Sequence, residues 1–238
     1  CGFEALLRWN HPERGMISPV EFVPVLEDAG LIAPVGEWVL RAVCGQILEW
    51  QRAGLAVRPV AVNLSARQLV SRDFGPTVER ILREQAVDPR LVELEITESS
   101  LMSNTEDAAR TLEYLSNLGV PISIDDFGTG YSSLSYLKRF PLDALKIDRS
   151  FVRDLTTDKE DATITRAVIS MARSLGLKAI AEGVETEGQL AFLIENGCDQ
   201  IQGYYYSRPL AVDECTTWLG QEPRLQVSRQ VAARAGVR

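Results

Sequence analysis

Carboxylates recur in this 238-residue chain at one kind of place, the end of a short apolar run. Glu4 stands in GFEALLR, Asn63 and Ser65 end AVNLSA, and Glu95 and Glu98 end ELEITES. Asp125 and Asp126 follow ISI in ISIDDFGTG, Lys146 and Asp148 sit in ALKIDRSF, and Glu182 and Glu185 stand in IAEGVET. Side chains alternate along a strand, so an extended segment over residues 2–8 would set Glu4, Leu6 and Arg8 on one face. Gathered at one mouth, five or more carboxylates repel one another unless divalent cations neutralise them. The chemistry such a mouth supports is metal-assisted.

Taken singly, each of these residues has a plainer reading. A carboxylate at a strand end is commonly a helix N-cap or a surface charge, and Asp125–Asp126 suits a turn. Asn63 can close an Asx-turn on its own backbone. Lys146 reads as a solvated strand-end lysine, or as the Schiff-base lysine of an aldolase-type barrel. Arg8 reads as a structural partner of Glu4. The recurrence over six consecutive runs argues against all of these together, because each would have to be a separate coincidence.

The elements that must carry these residues alternate in type. Strands are expected over residues 2–8, 59–64, 91–96, 121–125, 144–148, 177–181 and 199–202. Helical periodicity is expected over 19–27, 35–52, 76–85, 105–118, 163–175 and 187–195. Gly119, Gly176 and Gly197 each follow a helical stretch, as C-terminal caps do. Such βα alternation predicts a parallel sheet. No low-complexity linker divides it, so one α/β domain is expected over residues 1–210. A terminal helix and a mobile tail are expected over 211–238. Seven strands fall one short of a closed barrel, which has eight.

Composition narrows the chemistry. The net charge of −8 speaks against long nucleic acid as a partner, which needs a basic surface. The single histidine, His11, excludes sites built on several imidazoles, so a metal here must be held by oxygen. Cys1, Cys44, Cys198 and Cys215 show no paired spacing and read as reduced thiols of a cytoplasmic domain. No apolar run reaches the ~20 residues of a membrane span; the full-length protein remains open to membrane anchoring.

From GFEALLRWNHPERGMISPVEFVPVLEDAGLI onward, the sequence resembles the EAL domain family of cyclic di-GMP phosphodiesterases. The likeness continues through VNLSARQL, LEITES, DDFGTGYSSLSYLKRFPLDALKIDRSFV, IAEGVET and QGYYYSRPL. It implies a TIM-like (β/α)8 barrel that hydrolyses cyclic di-GMP to linear pGpG. Glu4, Asn63, Glu95 and Asp125 match the family's ligands to a first Mg²⁺ or Mn²⁺, and Asp125 with Asp126 match those of a second. Oxygen donors suit these hard cations. Glu182 matches the general base and also suits a metal ligand. Lys146 matches the lysine that holds the nucleophilic water. Arg8 matches a phosphate-binding arginine, with Ser65 and Gln202 near the substrate. Glu98 matches the anchor of a loop over residues 126–134, and Glu185 a supporting group.

The resemblance also implies a homodimer and an upstream sensory or diguanylate cyclase (GGDEF) domain. It implies a first antiparallel strand before Gly2 that this chain does not include, so an N-terminally clipped barrel is expected. A different class of reading stays open, a catalytically silent cyclic di-GMP receptor or interaction module of the same fold. Loss of metal ligands would favour it, and no ligand position is lost.

Overall fold

A computed structural model of the chain describes residues 2–103, 105–130 and 137–221. The expected tail beyond residue 221 and part of the 126–134 loop lie outside them. The described residues fall into two compact units, one drawn from Cys1–Ile122 and Ser133–Pro141, the other from Ser123–Ser132 and Leu142–Arg238.

In the first unit, β1 (Phe3–Ala5) runs parallel to β4 (Val60–Leu64), which runs parallel to β5 (Val92–Thr97). The register sets Glu4 against Ala61 and Asn63 against Glu95. Val60, Val62, Val92, Leu94 and Ile96 are buried, as expected of parallel strands covered by helices. Chief among those helices are Ile32–Arg52, Phe74–Gln85 and Thr105–Leu118. The first buries Leu40, Val43, Cys44, Ile47 and Trp50, an apolar stripe at helical spacing. At Gly2 a side chain would meet the Pro59 carbonyl oxygen at 2.8 Å, so the start of β1 needs glycine to lie against β4.

The unit departs from the sequence reading after Ala5. The expected strand over residues 2–8 stops there, and the chain enters an antiparallel hairpin of β2 (Trp9–His11) and β3 (Gly15–Ile17). Its turn is closed by the sole histidine, whose Nδ1 accepts from the backbone N–H groups of Glu13 and Arg14, each at 3.2 Å. Strand alternation therefore does not carry Arg8, which lies exposed between β1 and the hairpin.

In the second unit, β6 (Ile122–Phe127), β7 (Ala144–Ile147), β8 (Lys178–Ala181) and β9 (Gln200–Ile201) pair in that order, all parallel. All seven strands expected from the sequence are present, each parallel to its partner. The helix expected from residue 163 starts at Lys159, because Asp158 caps it by accepting from Glu160 N (2.7 Å) and Asp161 N (3.4 Å). Gly176 ends it in the left-handed conformation, φ 74°. A short helix, Arg149–Arg153, follows β7, and Glu187–Glu195 follows β8. A further helix spans Val212–Gly220. Among the described residues, no helix is long and apolar enough to cross a membrane.

Candidate metal centre

In the first unit the predicted site residues form a carboxylate–amide group. Asn63, the penultimate residue of β4, donates from Nδ2 to Glu4 Oε1 at 2.8 Å. Glu95 is its register partner on β5 and is only 4% exposed. Glu98, the first residue of the helix Glu98–Ser103, is 2% exposed. Ser65 caps the short helix Ala66–Leu69 in a reciprocal box with Gln68. The Arg8 guanidinium donates to the Leu7 carbonyl and is otherwise turned to solvent.

In the second unit the residues converge tightly. The pairing of β6 with β7 slips between Ile124 and Phe127, a bulge that contains both aspartates. Asp126 occupies it with φ 54°, a left-handed conformation that aspartate tolerates better than most residues. Asp125 Oδ1 accepts from the Asp126 N–H at 3.0 Å. The bulge re-aims side chains that regular alternation would send to opposite faces. Carboxylate oxygens of Asp125, Asp126 and Glu182 then all lie within 4.8 Å of one another.

One buried cation faces this cluster. Lys146, in the middle of β7, is 1% exposed, and its Nζ lies 2.6 Å from Glu182 Oε1 and 3.3 Å from Asp125 Oδ1. A lysine so deep is tolerable only when paired. Desolvation, and then the charges of Asp125 and Asp148, push the Asp126 carboxyl from 3.8 up to about 6. Burial alone would raise Asp148 too. Hydrogen bonds from the Ser150 hydroxyl and backbone N–H, and from Asp126, outweigh that and hold it below the usual range.

Asp148 was legible only as a strand-end residue, yet it both bonds Asp126 and caps Arg149–Arg153. The signal was the Asp-Arg-Ser sequence, an N-cap aspartate two residues before the N–H it accepts. Glu185 is exposed and Gln202 half-buried. The Gln202 backbone joins the loop after β8, its N–H donating to Ala181 O at 2.8 Å and its carbonyl accepting from Val184 N at 3.0 Å.

Three clustered carboxylates against one lysine leave an excess of negative charge at hard oxygen donors. That donor set fits Mg²⁺ or Mn²⁺ and does not fit soft metals. Burial first, and the neighbouring carboxylates second, raise the Asp126 carboxyl, and a bound dication would favour its charged form.

Comparison with known proteins agrees with this picture. A family model described as EAL domain matches residues 1–209. The chain is 47% identical over 213 residues to the bifunctional diguanylate cyclase/cyclic di-GMP phosphodiesterase MucR of Pseudomonas aeruginosa, covering 90% of this chain and 31% of that protein. It is 42% identical over 215 residues to the cyclic di-GMP phosphodiesterase PdeR of Escherichia coli, covering 90% and 32%. The chain thus spans about a third of the length of these curated relatives. The solved PaMucR phosphodiesterase in complex with c-di-GMP superposes with a TM-score of 0.86 at 47% identity, covering 90% of this chain and 87% of that one. The fold class is therefore the TIM-like α/β barrel expected from the sequence.

Proposed function

We propose, because the chain belongs to the EAL domain family and gathers Asp125, Asp126 and Glu182 around a buried lysine, that it hydrolyses cyclic di-GMP to linear pGpG. The carboxylate–lysine cluster is the observation that carries this reading. Identity of 42–47% to relatives named as phosphodiesterases of this nucleotide supports the choice of substrate.

In this reading Asp125 and Asp126 hold divalent cations, with Glu4, Asn63 and Glu95 as further oxygen donors. When bound, Mg²⁺ or Mn²⁺, two to a site, supplies charge neutralisation for the phosphodiester and lowers the pKa of water. The chain's own residues handle the proton. Lys146 fixes the Glu182 carboxylate through the 2.6 Å contact, and that carboxylate accepts the proton of the attacking water. The water oxygen bonds to phosphorus as one ester P–O bond breaks, and the ring opens to the linear dinucleotide. Arg8 binds a phosphate, a role its exposed guanidinium suits. Ser65 and Gln202 contact the substrate, and Glu98 and Glu185 support the site. A homodimer and an upstream regulatory domain complete the proposal.

The test is turnover of cyclic di-GMP with Mg²⁺ or Mn²⁺, comparing the parent chain with Glu182→Gln. Formation of pGpG by the parent and its loss in the variant are expected. A parent chain that binds cyclic di-GMP without cleaving it would instead make this a receptor.

A further inference from the structure

Gln189 has no place in the chemistry above, yet it is 4% exposed and uses all of its hydrogen-bonding capacity. Its Oε1 accepts from Glu185 N at 2.7 Å and Thr186 N at 2.9 Å. Its Nε2 donates to the carbonyls of Val152 at 3.1 Å and Arg153 at 3.0 Å. The first pair belongs to the loop that leaves Glu182. The second belongs to the end of Arg149–Arg153, the helix that leaves Lys146 and is capped by Asp148. One side chain therefore ties together the two segments that present the lysine and its carboxylate.

A second contact lies along the same seam. Gly183 adopts φ 69°, and a side chain there would meet Arg149 Cβ at 2.7 Å. The loop after β8 thus lies directly on the helix after β7. Gly128 presses on the same helix, where a Cβ would sit 2.9 Å from the Phe151 ring. Further backbone bonds hold the loop from its other side, Val184 N to Gln202 O at 3.0 Å and Tyr205 N to Val184 O at 2.9 Å. Glu182 N donates to Ile147 O at 3.1 Å, and Gln189 extends that tie along the segment after Lys146 to Val152 and Arg153.

We propose that Gln189 is a positioning residue for the Lys146–Glu182 pair, holding the loop after β8 against Arg149–Arg153 so that the glutamate stays in contact with the lysine. The proposal rests on the reading of Glu182 as the proton acceptor. Gln189→Met keeps the length of the side chain and removes all four bonds, releasing the Glu185 and Thr186 N–H groups and the Arg153 carbonyl, while Val152 O keeps the Leu155 N–H at 3.3 Å. Leu193→Ala, a fully buried core change on the same helix, destabilises without touching the seam.

Both variants are compared with the parent by cyclic di-GMP turnover with Mn²⁺, expressed per cyclic di-GMP-binding molecule, across pH. In Gln189→Met, kcat is expected to fall at least tenfold, with KM changed less than twofold and the limbs of the pH–rate profile displaced. Leu193→Ala is expected to keep the parent's per-site kcat and profile. Equal behaviour of the two variants would overturn the proposal, since loss of folded protein lowers the active fraction without moving a pH limb. A crystal structure of Gln189→Met supplies a readout independent of activity, so failure of the hydrolase reading does not hide the answer. Separation of Lys146 from Glu182 is expected there, and an unchanged contact would overturn the proposal.

Discussion

The two groups of acidic residues are built on different principles. In the first unit a neutral amide meets the carboxylate, Asn63 donating to Glu4 at the ends of two regularly paired strands. In the second, three carboxylates crowd together over a register slip and face a buried ammonium. Regular pairing fixes side chains by alternation. The bulged group is held by charge against charge, and burial together with its acidic neighbours raises Asp126 to about 6. The first group is thus a rigid set of donors, whereas the second is charge-frustrated until a cation arrives.

Removing Lys146 should break this distinction most strongly. In Lys146→Met, the carboxylates that face Nζ lose their buried partner, at about 3–5 kcal/mol in stability near neutral pH without metal. Mg²⁺ or Mn²⁺ should recover much of that stability, since a dication replaces the missing charge. Turnover should stay down by about 10²–10⁴-fold, because the metal does not restore the group that orients Glu182. Thermal unfolding with and without Mn²⁺, set beside cyclic di-GMP turnover, checks both statements. A variant as stable as the parent in EDTA would sink the view that charge holds the second group.

The same contrast governs what the sequence made legible. The first group could be read almost directly, because regular strands obey alternation, and Asn63 and Glu95 fall where the pattern puts them. Arg8 could not, since nothing local to GFEALLR announces that β1 ends at Ala5. The turn signal HPERG lies just beyond and marks the hairpin that diverts the chain. In the second group, the residues of DDF were conspicuous as types, but their arrangement depends on a bulge that only pairing with β7 defines. Lys146 was the hardest to judge. A lysine in ALKID reads as a strand-end charge in water, and its burial follows from carboxylates distant in sequence. The start of Lys159–Leu175 was missed for the opposite reason, a polar first turn held by the Asp158 cap.

Changes at the amide of the first group should have smaller effects. Asn63→Ala removes one hydrogen bond at an exposed residue, at about 0.5–1.5 kcal/mol. Because the site loses a donor oxygen and Glu4 the group that orients it, Mn²⁺ affinity should fall at least about 10–100-fold. Calorimetric titration with Mn²⁺ checks this. A stability loss as large as that of Lys146→Met would erase the difference between the two groups.

Asp126 sharpens the comparison through pH. Its folded pKa lies above its ordinary value of 3.8, so the fold favours the protonated form. That contribution is fully present below pH 3.8 and is lost as pH rises through about 6. In EDTA, Asp126→Asn should therefore be more stable than the parent at pH 8 by about 1 kcal/mol, a figure reduced for solvent screening. The advantage should vanish by about pH 3, below both pKa values, where the parent carboxyl is neutral in both states. With saturating Mn²⁺ the order should reverse, since the parent gains a ligand. Chemical denaturation at the two pH values measures it, and a pH-independent difference would mean that Asp126 is not charge-frustrated.

The smallest expected effect compares the two units themselves, because each carries a sheltered thiol, Cys44 buried and Cys198 half-buried. Cys44 lies on Ile32–Arg52 in the first unit and Cys198 just before β9 in the second, and burial pushes both up to about 11. Cys198 also donates to Gln200 O at 3.2 Å and Ala179 O at 3.4 Å. At pH 8 only about one thiol in a thousand is then ionised, and the thiolate is the reactive form. Alkylation of Cys44 in the native state must therefore proceed through opening of the structure around it, and loosening around the half-buried Cys198 should speed its reaction. If charge crowding makes the second unit the less stable, Cys198 should react before Cys44 in EDTA. Mn²⁺ should slow Cys198 and leave Cys44 nearly unchanged. Mass spectrometry of labelled peptides resolves the two rates, and equal protection of both thiols by Mn²⁺ would show that the units open together, with the charge imbalance of one shared by the whole fold.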